Sequence, residues 1–189
     1  EVEVAEGGGL PRTVLVGLPD AALSQAKERV RAAVTGAGLP WPNGLVTINL
    51  SPANLPKTGT HYDLAIATAA LAAIEKVPVE AARNHVCLGE LGLDGRLRRV
   101  PGILPAVLAA VRSGFDKVIV PASQEAEASL VPGVTVWAVG HLRDLVAVLN
   151  GEPPLGGWEP PVEEDTNPGQ RPPLDFRDVR GHLDGRWVM

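Results

Sequence analysis

The chain has one cysteine, Cys87, among 189 residues, too few for an internal disulfide framework or a thiolate metal cluster. It has one tyrosine and two phenylalanines, and aromatics make up 4% of the whole, which argues against a stacking platform for single-stranded bases. No stretch approaches the ~20 apolar residues of a membrane span, and no basic-then-apolar leader opens the sequence. These absences fit a cytoplasmic protein. The phosphate-loop pattern G-x-x-x-x-G-K-[ST] is also missing, so no bound nucleotide cofactor is expected in this fragment. His61, His85, His141 and His182 share no metal-ligand spacing, and no metal site is expected.

Glycine and proline are plentiful instead, 21 and 18 residues, too many for a helix bundle. The net charge of −5 is unevenly placed. From Gly151 onward eight acidic residues face four arginines, among seven prolines and almost no apolar periodicity. Such a composition cannot bury enough apolar surface to offset chain entropy and predicts a linker. The expected organisation is a folded domain over residues 1–150, a Pro- and acid-rich linker over 151–174, and the start of another module over 175–189. A first residue other than Met, with a linker leading onward, suggests a piece of a longer protein.

Within residues 1–150, strands and helices alternate. Val2–Ala5 and Thr13–Val16, joined by three glycines, predict a hairpin pair. Pro19 suits a first helical residue, and Gly38 with Pro40 supplies the stop. Between them Leu23, Ala26, Val30, Ala33, Val34 and Ala37 recur at helical spacing on one buried face. Val46–Leu50 reads as a strand, and Tyr62–Ile74, apolar nearly all round, as a central helix. Val86–Leu93 and Arg96–Val100 flank an Asp-Gly turn, another hairpin. A helix follows over Ile103–Arg112. Then a strand, a helix and a strand (Lys117–Val120, Gln124–Leu130, Val134–Ala138) form a parallel crossover unit, and Leu142–Leu149 closes the domain as a helix. The fold class expected is α+β, in mixed α/β layers.

The densest segment for chemistry runs from Ser51 to Asp63, a long loop entering the N-terminus of the central helix, where unpaired N–H groups favour anions or a nucleophile. Thr60 and Asp63 also fit a capping box, Thr60 capping the helix and Asp63 reaching back. Ser51 or Thr60 as a nucleophile finds no base beyond Lys57 or His61. Cys87, inside an apolar run, is expected to be a buried, inert thiol. Two groups of cations stand out: Lys27 and Arg31, one helical turn apart, and Arg96, Arg98 and Arg99 on the second arm of the hairpin, with Arg98 facing away from Arg99. Each group could be a solvated face, a phosphate-backbone contact or a subunit contact.

Three ordered motifs carry a resemblance. The run Asn49-Leu50-Ser51-Pro52-Ala53-Asn54-Leu55-Pro56-Lys57-Thr58-Gly59, followed by Tyr62-Asp63-Leu64, resembles the signature of the YifB/ComM family of magnesium-chelatase-like AAA+ ATPases. Val16–Ala22 with Glu28–Ala33, and Gly89–Arg98, match the same family at the right distances, and Asp175–Gly181 is similar to the stretch entering the AAA+ module. The pattern does not continue through Leu183–Met189.

The resemblance implies an N-terminal domain similar to the proteolytic domain of Lon, a ribosomal-protein-S5-domain-2-like fold. It implies a longer protein that forms a hexameric ring, uses ATP and Mg in the module absent here, and in competence-related members drives branch migration on DNA. In Lon a serine lies in a Lys-Asp-Gly-Pro-Ser-Ala-Gly segment. Laid over Lys57-Thr58-Gly59-Thr60-His61-Tyr62-Asp63, its position holds His61, and the Lon lysine position falls at Leu104, Pro105 or Ala106. Neither dyad partner is present. The implied role is a non-catalytic accessory domain with a degenerate site at Lys57, Thr60, His61 and Asp63, docked on its own ring and touching DNA weakly and without sequence preference. The alternative is a degenerate peptidase that still binds or cleaves peptides.

Overall fold

The structure is a computed structural model and describes residues 1–155. The expectations for residues 156–189, including most of the linker, the AAA+ entry and His182, lie outside the described residues. Strands β1 (Val2–Gly7) and β2 (Arg12–Val16) do not pair with each other. Between β2 and the next strand lie α1 (Ala21–Ser24) and α2 (Ala26–Gly36), and β3 (Leu45–Leu50) then inserts between the first two strands. It runs antiparallel to β1 and parallel to β2. The expected hairpin is therefore corrected to a three-stranded mixed sheet. The apolar positions of β3 explain this: Val46, Ile48 and Leu50 are all buried, so β3 takes the protected central place.

Pro19 is not the first helical residue. Asp20 caps α1 through its carboxylate, which accepts from the Leu23 amide at 2.7 Å. Gln25 separates α1 from α2, and all six residues of the predicted apolar face are buried. Gly17 is required where β2 turns toward α1: its φ is +106°, and a Cβ there would sit 2.2 Å from the Leu50 carbonyl oxygen.

The central helix α3 (Asp63–Ala73) is buried at eight of its eleven positions, packing on β1, α2 and the strands beyond. After α4 (Val79–Arg83), the run expected as one strand breaks into β4 (Val86–Cys87) and β5 (Glu90–Leu91), which belong to different sheets. Strand β5 pairs with β6 (Leu97–Arg98) in a short hairpin whose turn is closed by the Gly95 amide on the Gly92 carbonyl. Then come α5 (Ile103–Arg112), β7 (Lys117–Pro121), a 3₁₀ turn with α6 (Glu125–Ala128), β8 (Thr135–Val139) and α7 (Leu142–Leu149).

β4, β7 and β8 form a parallel sheet with β7 in the middle, so the predicted crossover is present. Strand alternation in β7 divides the interior: Ile119 joins the cluster around α2, α3 and α7, while Val118 and Val120 join the cluster around α5 and α6. The molecule is an α+β fold of mixed layers, as the patterning predicts. Among the described residues no helix is long and apolar enough to cross a membrane.

Candidate functional site

The loop from Ser51 to Tyr62 is pinned to the β2–α1 turn before it reaches α3. The Lys57 amide donates to the Leu18 carbonyl, the Asp20 amide donates to the Lys57 carbonyl, and the Asp20 carboxylate also accepts from the Gly59 amide at 3.1 Å. Gly59 holds a φ of +89° there. This fixes where Thr60, His61 and Asp63 stand.

Asp63 is wholly buried and meets Arg29 of α2 in a two-pronged ion pair, Nε to Oδ2 at 2.6 Å and the second guanidinium nitrogen to Oδ1 at 2.8 Å. The Leu91 amide of β5 donates to the same carboxylate at 3.2 Å. Burial pushes the Asp63 carboxyl above its ordinary value, against the downward pull of Arg29 and the Leu91 amide; Asp63 in turn raises Arg29. Thr60 donates its hydroxyl to Glu90 at 2.5 Å, and the other oxygen of Glu90 lies 3.8 Å from Arg98. The expected capping box is thus corrected. Tyr62, not Thr60, precedes the helix and makes no side-chain cap, because both box residues are drawn into contacts with other elements.

Lys57 is buried, and its ammonium donates to the Pro52 carbonyl within its own loop, with no carboxylate paired to it among the described residues. His61 lies beside Tyr62, ring centroids 4.1 Å apart, and burial lowers its pKa below the ordinary 6.5. Cys87 is buried and its thiol is pushed up to about 11 by burial, so thiolate chemistry is suppressed at neutral pH. Among the described residues no three His, Cys, Asp or Glu side chains gather as metal ligands.

The cations separate in space. Arg99 donates to the Ser123 carbonyl at 2.9 Å and reaches Glu127, away from Arg98, which points to Glu90. Arg96 pairs with Asp94 at 3.5 Å. Lys27 lines an open groove of about 590 Å³ with Glu28, Arg29, Ala32 and Leu93, where α2 meets the hairpin turn; Arg31 is exposed on the same helix. Arg29 and Glu90 are the two residues of this network that sequence reasoning passed over as participants. Both lie inside the family motifs, but nothing local says which partner either would find.

Comparison with known proteins supplies the family. The family described as the ChlI subunit of Mg-chelatase matches residues 2–124. An uncharacterized protein of Mycobacterium tuberculosis is 48% identical over 189 residues, 100% of this chain and 37% of that protein. YifB of Escherichia coli is 41% identical over 151 residues, 80% of this chain and 30% of its own length. Competence protein ComM of Haemophilus influenzae is 38% identical over 182 residues, 95% of this chain and 35% of its own. More distantly, Lon protease 2 of Bacillus subtilis is 30% identical over 105 residues, in keeping with the α+β fold. The chain spans 30–37% of the length of its mycobacterial, YifB and ComM relatives. Spread over three separated motifs and nearly the whole folded region, this similarity places the chain in the magnesium-chelatase-like YifB/ComM family.

Proposed function

We propose that residues 1–150 are a non-catalytic, Lon-like accessory domain of a cytoplasmic magnesium-chelatase-like AAA+ ATPase, joined by a linker over 151–174 to an ATPase module that begins at 175–189. The longer protein would form a hexameric ring, hydrolyse ATP with Mg and remodel DNA, and this domain would dock on the ring and guide the strand. Support comes from the fate of the polar groups at the start of α3. A Ser-Lys-type dyad needs an amine at the hydroxyl to take its proton. Here the Thr60 hydroxyl is held by Glu90, Asp63 is held by Arg29, and the Lys57 ammonium turns back to Pro52.

Any DNA contact would fall to Lys27, Arg31, Arg96, Arg98 and Arg99, and would be directed at the backbone. The test compares the full-length protein with a form lacking residues 1–150. ATP hydrolysis should persist while DNA remodelling falls. The 189-residue chain alone should show no saturable heat with Mg-ATP, and should bind DNA no more tightly than ~10⁻⁵ M, weakening steeply from ~50 to ~200 mM salt. Unimpaired remodelling by the shortened form would refute the reading.

The alternative, a degenerate peptidase, draws on the Thr60–Glu90 contact, which places a carboxylate against a hydroxyl. Peptide cleavage above the buffer blank, abolished by Thr60→Ala, would establish it instead.

A further inference from the structure

The backbone does not simply run outward from the end of α7. The helix closes in a Schellman turn: the Gly151 amide donates to the Val148 carbonyl at 3.0 Å and the Glu152 amide to the Ala147 carbonyl at 2.8 Å, with Gly151 left-handed at a φ of +81°. That turn sends the chain back along the helix. Pro153 and Pro154 follow, and two prolines in a row hold an extended path at little further cost in chain entropy. The path brings the Leu155 amide to Oδ1 of Asp144 at 3.2 Å. Asp144 lies six residues before Asn150, about 9 Å back at the helical rise of ~1.5 Å per residue.

Asp144 is what gives this contact weight. It is 6% exposed, and no cation pairs with it among the described residues. Its Oδ2 accepts from the His141 amide at 3.1 Å, as half of the α7 capping box, and its Oδ1 accepts from Leu155. One buried carboxylate is thus shared between the start of the helix and the departing chain. Losing either amide leaves a buried charge short of a donor, which costs more than losing an ordinary hydrogen bond. The residues beside Asp144 hold other segments. His141 Nε2 meets the Asp94 carbonyl at 3.0 Å, and Arg143 Nε donates to the Ala37 carbonyl at 2.8 Å. The β5–β6 turn, the end of α2 and the departing chain are all fastened at one helical turn.

We propose that residues 151–155 form a releasable strap, fastened to the first turn of α7 through Asp144 and coupled through that carboxylate to the helix cap. Fastened, the strap sets the point at which the chain departs, on the side of α7 that faces the β5–β6 turn. Pulled free by tension from the chain that follows, it withdraws a donor from Asp144 and loosens the His141 amide that shares the carboxylate. Linkage makes the coupling reciprocal, so a loosened cap also frees the strap. The strap depends on these residues alone and not on the function proposed above.

Amide hydrogen exchange and backbone nitrogen relaxation on the 189-residue chain test the coupling. The Leu155 amide should exchange about tenfold or more slowly than in an unstructured peptide, with an order parameter close to that of α7 rather than below ~0.6. Leu155→Pro deletes the donor and, because the Leu155 side chain is 66% exposed, removes little packing. The Glu152 and His141 amides should then exchange about tenfold faster while α3 keeps its protection. Leu155→Ala retains the amide and should leave both rates unchanged. Free-chain exchange at Leu155 overturns the proposal. So does a Leu155→Pro variant with an unaltered His141 amide, since the strap then lies on α7 without being coupled to it. Equal acceleration in Leu155→Ala also overturns it, because the side chain and not the amide would then hold the strap.

Discussion

Two helices of this protein begin with the same local grammar and end up built differently. At α7, His141 caps the helix by accepting from the Arg143 amide at 3.1 Å, and Asp144 reaches back to the His141 amide at 3.1 Å. At α3, Thr60 and Asp63 have the spacing for a comparable box, yet neither side chain serves the helix end. The difference lies in what surrounds each start. Asp144 meets only local partners and the Leu155 amide. Asp63 is covered by α2 on one side and β5 on the other, and the guanidinium of Arg29 is a stronger partner for a buried carboxylate than one backbone amide. A local motif holds when distant partners leave its capping atoms free: His141 caps through Nδ1, while its distant contact, with the Asp94 carbonyl at 3.0 Å, uses Nε2.

The sharpest way to break this contrast is at Arg29. Arg29→Ala leaves Asp63 buried without its counter-charge, and the expected cost is about 3–5 kcal/mol, read from denaturant unfolding. Asp63→Ala should cost less, because Arg29 is 20% exposed and can turn toward water. If the two variants cost the same, desolvation of Asp63 is not the controlling factor.

At α7 the effect is smaller. His141→Ala should lose about 1 kcal/mol, the usual worth of a cap, with the interior around α3 unchanged in its hydrogen exchange. A loss as large as that of Arg29→Ala would mean that the contact of His141 Nε2 with the Asp94 carbonyl, 3.0 Å, outweighs the cap.

The smallest effect concerns pH. Burial favours neutral His61 in the folded chain, while the unfolded chain protonates at the ordinary value near 6.5. The unfolded state therefore binds more protons as pH falls through that value, and stability declines until the lower folded pKa is passed. Comparing the unfolding midpoint at pH 7 and pH 5.5 in the native chain and in His61→Gln should show a shallower decline in the variant. A histidine titration midpoint at or above 6.5 for His61 would refute this.

Much of the fold was legible because burial repeats with the period of the element. The buried face of α2, the span of α5 and α7, and the parallel pair β7–β8 follow from apolar spacing and from runs of β-branched residues. The candidate site was legible only as a place. Lys57, Thr60, His61 and Asp63 marked the entry to a buried helix, but their partners Arg29 and Glu90 lie 34 and 30 residues from Asp63 and Thr60, beyond any local pattern.

By itself the sequence determined the class of the fold, the buried faces, the inertness of Cys87 and the family, since each depends on residue type and spacing along one chain. Tertiary structure alone decided that β3 would separate β1 from β2, that one apolar run would divide between two sheets, and that the Thr60–Asp63 box would be dismantled. The physical reason is common to all three. Strand neighbours and charged partners are chosen by which contact removes the most apolar surface from water while satisfying every buried polar atom, and that choice exists only once distant segments have met.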